Sequence, residues 1–161
     1  MSKAFGITFG VAVVVIGILI WFGFARTAGN HLAPTGKIGK VRTVKAADDL
    51  TYMVIDFSAK NDSDVDMIVH SVEGEIDTAD GDMLTASPVA AADVKAAFQS
   101  YTLLGEQYNP VLKDRDKIPA HQSVDRMVGL RIDAPIEKVE KRKRVTLRVE
   151  DVTGPVLELT K

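Results

Sequence analysis

A chain of 161 residues with 46% apolar side chains and no cysteine has room for one ordinary domain and excludes a disulfide-stapled scaffold. The net charge of −2 hides an uneven field: the first 45 residues carry Lys3, Arg26, Lys37, Lys40, Arg42 and Lys45 with no acid, residues 46–112 hold 13 acids against Lys60 and Lys95, and residues 113–161 hold 12 bases against 9 acids. A body this acidic excludes general nucleic-acid binding, and the field bears on solubility and partners rather than on fold.

The first predicted element is a single transmembrane helix over residues 4–25, AFGITFGVAVVVIGILIWFGFA, which is 22 residues long and uncharged. At ~1.5 Å per residue it reaches roughly 33 Å, enough to cross the ~30 Å hydrocarbon core of a bilayer. The run exceeds the length of a signal-peptide h-region, so it reads as a retained signal-anchor rather than a segment cleaved after Gly23-Phe24-Ala25. Trp21, Phe22 and Phe24 stand where an aromatic belt would lie. Gly6, Gly10 and Gly17 share one face and carry a small-xxx-small pair, the spacing of helices packed side by side. This suggests transmembrane packing, as a homo-oligomer or against other membrane or envelope proteins. The plainer alternative is that glycine is common in membrane helices.

Five bases follow the span within the window of the positive-inside rule and one precedes it, which taken literally puts the domain in the cytoplasm. Only Arg26 is close to the span, however, and long domains translocate largely regardless of charge. By analogy with exported anchored β-domains, the expectation is a single-pass inner-membrane protein whose soluble domain is extracytoplasmic.

Residues 26–37, RTAGNHLAPTGK, read as a linker, and residues 38–161 as the domain. Val41–Lys45 is a short edge strand. Leu50–Ala59 is apolar on both faces, with Met53, Ile55 and Phe57 on one and Tyr52 and Val54 on the other, the mark of a central strand. Asn61-Asp62-Ser63-Asp64 is a turn into a return strand, Val65–Ile76, so these two strands read as a hairpin. Asp80-Gly81-Asp82 is another turn. Ser87-Pro88 reads as cap and first position of a helix over Val89–Gln99. Residues 100–116 are broken by Gly105 and Pro110. Ile118-Pro119-Ala120-His121 turns into a strand over Ser123–Asp133. Arg144–Glu150 alternates with Val145, Leu147 and Val149 inward, and Asp151–Gly154 turns it into a terminal hairpin with Pro155–Thr160.

Six or seven strands with one short helical insertion give the expected fold class: mainly β, an antiparallel immunoglobulin-like β-sandwich behind a single N-terminal transmembrane helix. Tyr52-x-Val54, Phe57, Asn61-x-Ser63, the Gly81 turn, Ile118-Pro119 before a strand and the Val149-Glu150-Asp151-x-x-Gly154 hairpin resemble the immunoglobulin-like sandwiches of bacterial membrane-anchored proteins. In order they are similar to the late-embryogenesis-abundant type 2 (water-stress, hypersensitive response) domain. The resemblance covers roughly residues 41–160 and implies a binding fold without catalytic residues.

Three sets of residues invite a chemical reading. Asp62, Asp64, Asp66 and Glu73 occupy the first, third, fifth and twelfth places of an EF-hand-like loop, so calcium is the cofactor to consider. The sixth place is Met67 instead of the glycine such a loop needs, and a polar hairpin turn with a solvated strand face is the plainer reading of these residues. Glu73, Glu75 and Asp77 alternate along one strand face, either an acidic docking surface or a solvated face that resists edge pairing. Lys141, Arg142, Lys143 and Arg144 form a basic run that could meet anionic lipid or a partner, or be a solvated loop. His31, His70 and His121 are scattered, and no nucleophile elbow, P-loop or dinucleotide fingerprint is present. The expected function is therefore a non-enzymatic binding or scaffolding module at the membrane surface. The alternative is a calcium-dependent or anionic-lipid-binding envelope module.

Overall fold

The computed structural model describes residues 12–21 and 33–161. The chain divides into two compact units, Met1–His31 and Leu32–Lys161. In the first, residues 12–21 form a helix (α1) whose side chains are all exposed. Among the described residues no helix is long and apolar enough to cross a membrane. The remainder of the expected 4–25 span, Gly6 and Gly10 included, lies outside the described residues. Gly17 is on α1, and a Cβ there would meet no heavy atom within 4 Å.

The second unit is a mainly-β antiparallel sandwich of eight strands: β1 (Thr35–Ala47), β2 (Leu50–Asn61), β3 (Met67–Thr78), β4 (Met83–Pro88), β5 (Lys117–Ile118), β6 (Gln122–Ile132), β7 (Arg142–Asp151) and β8 (Val156–Thr160). Two further helices, α2 (Ala91–Ser100) and α3 (Ile136–Glu140), join them. Strand pairing runs β1-β2-β6-β4-β3-β7-β8, with β5 on β3. It folds over at β4, whose residues Met83–Ala86 pair with β3 while Ser87 and Pro88 pair with β6. One layer is thus β1-β2-β6 and the other β4-β3-β7-β8. The main core lies between them: Met53, Ile55, Phe57 and Ala59 of β2 and Leu130 and Ile132 of β6 face Ile76 of β3, Val145, Leu147 and Val149 of β7, and Leu157 and Leu159 of β8.

The predicted alternation of β7 is the observed one, and β2 is central, between β1 and β6. Its second apolar face has a specific cover. Val44, Val54 and Met127 form a smaller core with Val94 and Ala97 of α2, Leu104 and Val111. The helical insertion is the lid on the outer face of the first layer, which is why β2 needs apolar residues on both sides.

Four local expectations are corrected. β2 and β3 are not a hairpin: both edges of β2 are taken by β1 and β6, so the turn after Asn61 carries the chain across to the other layer. Ser87-Pro88 does not open a helix but ends β4, and α2 starts at Ala91 with Ala90 before it and no side-chain cap. Strand β1 begins at Thr35, inside the stretch read as linker. The basic run Lys141–Arg144 is not a loop: Lys141 caps the end of α3 and Arg142–Arg144 open β7.

Turn chemistry matches the sequence better. The Asn61 side chain donates to the carbonyls of Val65 (2.7 Å) and Ile118 (3.0 Å) and accepts from Ser63 N and Oγ, so the crossing turn is held from within. Gly81 (φ 89°) and Gly154 (φ 102°) take the left-handed backbone of the two tight turns, where a side chain would be strained.

Candidate functional site

The acidic and basic runs that stand far apart in the sequence meet on one surface. β3 and β7 are neighbours in register, with Glu75 opposite Thr146 and Asp77 opposite Arg144. Even-numbered residues of β7 point outward because Val145, Leu147 and Val149 point in. Arg144 therefore reaches Asp77 (2.7 Å through Nε) and Arg148 bridges Glu75 (2.6 Å) and Glu158 (2.9 Å). Glu158 and Glu75 hold the Arg148 guanidinium above its ordinary value. Lys138 on α3 is tied to Asp82 at 2.6 Å, which likewise raises its ammonium. Most of the acidic stripe is thus neutralised across the strand pair, a solvated and self-paired sheet face.

What remains unneutralised gathers at the start of β7. β8 pairs with β7 from Thr146 onward and Lys161 continues the ladder to Val145, so Arg142–Arg144 run past it. Opposite them β1 carries a bulge between Ile38 and Val41. The result is a cleft of about 250 Å³ lined by Val41, Arg142, Lys143, Arg144, Val145 and Lys161, with four cationic side chains and no acidic side chain in its wall. Arg142 is half-buried and donates to the Val139 carbonyl (3.2 Å), and Lys161 Nζ donates to the Gly39 carbonyl. Lys141 is exposed beside α3, outside the cleft lining.

A larger, mainly apolar cleft of about 530 Å³ lies where the two layers separate. On the side away from β7, β3 pairs with β5 through Met67 and Ile68 and with β4 through Gly74–Asp77. Val69 is bonded between them to the backbone of Arg115 and Asp116. Ser71–Glu73 therefore have a strand partner on one side only, and His70 sits at the bulge between Val69 and Ser71. The cleft opens beside His70, Ser71 and Val72 and is walled by Pro88–Ala91, Leu112–Asp114 and Val128.

The expected calcium ligands are not brought together. Asp62 pairs with Lys60 (2.6 Å), Asp64 with His121 (2.9 Å), and Asp66 accepts from the Ala120 backbone N–H (3.0 Å). Glu73 lies farther along β3, opposite Arg148 in register. Among the described residues no three acidic or histidine side chains are grouped to hold a metal ion.

A buried ion pair went unread in the sequence. Arg42 and Asp56 are each 7% exposed and meet at 2.7 Å. Arg42 also donates to the carbonyls of Leu104 (2.7 Å) and Glu106 (2.8 Å), and Asn109 donates to the second Asp56 oxygen (2.9 Å). The Phe98 ring lies 4.9 Å from the guanidinium carbon, and Arg42 Nε has no hydrogen-bond partner. This clamp fastens the segment after α2 onto the outer face of β1 and β2. The available signal was Asp56 itself, a lone acid inside the apolar run of β2, which must be paired if it is buried.

Comparison with known proteins adds little. No protein-family profile and no curated protein matches the chain. Among solved structures, an uncharacterised β-sandwich protein of Clostridium difficile 630 is similar at 17% identity over 81% of each chain, with a TM-score of 0.37. The sandwich assignment rests on the strand pairing described above.

Proposed function

We propose that this protein is a non-enzymatic binding module tethered to the inner membrane by residues 4–25, with an immunoglobulin-like sandwich on the extracytoplasmic side. The observation that carries the binding role is the interrupted pairing of β3 beside the 530 Å³ cleft. A strand edge with free rungs, flanked by an apolar hollow, suits an extended segment of another membrane or envelope protein. Main-chain bonds would supply affinity and the hollow would select side chains. Support for the tether comes from α1, whose exposed valines, isoleucines, Leu19 and Trp21 call for an apolar surrounding.

The test is site-specific photocrosslinking in intact cells, with a benzophenone amino acid in place of Ala90 or Ser71 and, as control, exposed Thr85. Crosslinks to one defined membrane or envelope protein from the two cleft positions, absent from Thr85, are expected. Equal yields from all three positions would overturn the reading. Protease protection of the domain in sealed inverted vesicles reports the side of the membrane.

A further inference from the structure

We propose that the cleft between β1 and the start of β7 is a phosphate-binding site, formed by Arg142, Lys143 and Lys161. This inference concerns other side chains than the strand-addition reading and does not depend on it. Its basis is a charge imbalance in a confined space. Four cationic side chains line the cleft and no acidic side chain does. Arg144 is already committed to Asp77, and Arg142 is oriented by a single bond to the Val139 carbonyl. Among the described residues neither Lys143 nor Lys161 has a carboxylate within ion-pairing distance, although paired acids abound elsewhere on the same layer.

Lys143 is exposed at the bulge that separates the Asp77–Arg144 and Thr78–Arg142 pairs, so it stands off the charge ladder at the open end of the sandwich. Like charges held together in a concavity repel more strongly than on an open surface, and a compact anion relieves that repulsion. A planar guanidinium beside two ammonium groups suits a phosphate, which can accept several charge-assisted hydrogen bonds at once. A volume of about 250 Å³ fits a phosphomonoester or headgroup phosphate, and the lining offers no aromatic platform for nucleotide bases. The phosphate could belong to a free metabolite or to an anionic lipid, and the chemistry recognised is the same.

The experiment uses the full chain in nanodiscs of phosphatidylcholine, with amide chemical shifts of Lys143–Val145 as readout. One arm titrates inorganic phosphate against sodium chloride at matched ionic strength; a second replaces a quarter of the lipid with phosphatidylglycerol. Saturable shifts with phosphate identify a free-anion site, and shifts only in the phosphatidylglycerol discs identify a headgroup site. In either case Lys143→Gln should weaken the response by about ten-fold, as expected for loss of one charge-assisted bond, while Lys141→Gln leaves it unchanged. No response in either arm, a response matched by chloride, or equal effects of the two substitutions would overturn the proposal.

Discussion

Replacing Arg42 by methionine tests whether the buried clamp holds the lid on the first layer. The substitution keeps apolar bulk against Phe98 but removes three hydrogen bonds at once. The Asp56 carboxylate, 7% exposed, is left with Asn109 as its only side-chain donor, and the carbonyls of Leu104 and Glu106 lose theirs. Breaking one side of a buried pair costs about 3–5 kcal/mol, because a desolvated charge is left uncompensated. For a domain of this size that is roughly a 10–15 °C fall in Tm. Removing both charges, as Arg42→Met with Asp56→Leu, should recover about 1–3 kcal/mol of the loss, since the orphaned carboxylate goes too. Thermal denaturation of the four proteins closes the cycle, and amide exchange of Leu104 and Gly105 reports on the lid itself. A cost below about 1 kcal/mol for Arg42→Met, or a double variant that merely adds the two single losses, would refute the reasoning.

Gly129→Ala should destabilise by about 1–3 kcal/mol in chemical denaturation, because the new Cβ would stand 2.4 Å from Val94 Cγ2 and 2.9 Å from Val89 Cγ2, where α2 and its approach rest on β6. Asp151 is buried, which alone would raise its carboxyl, but bonds from Thr153 Oγ1 and N and from the Ile68 N–H outweigh burial and hold it below the ordinary value. Its contribution is therefore present above the unfolded-state value near ~4 and is lost as pH falls through the depressed folded value. Asp151→Asn should lower stability at neutral pH by about 1–3 kcal/mol and flatten the acid limb of the stability profile measured by urea titration. Adding calcium or chelator should leave the melting temperature unchanged, because Asp62, Asp64 and Asp66 are directed at different partners. A calcium-dependent rise would restore the metal reading.

What the sequence determined by itself is local. The alternation of Val145, Leu147 and Val149 fixed which side of β7 is core, the two apolar faces of β2 placed it centrally, and Asn61-x-Ser63, Gly81 and Gly154 marked turns that the backbone makes. These features depend on neighbours a few residues apart, which is the range over which side-chain periodicity and turn propensity act. Strand partnership was not legible, because it joins residues many positions apart and competes with every other edge. Hence β2 and β3, adjacent in the chain, lie in different layers, and Ser87-Pro88 closes a strand pair instead of capping a helix. The same nonlocality hid the electrostatics. Glu75 and Asp77 read as an acidic face until β7 was laid beside them, and Arg42 and Asp56 read as ordinary strand residues until a helix and its following loop covered them. Sequence supplies the faces; only the tertiary fold decides which face meets which, because that choice is set by shared burial and charge pairing across the whole domain.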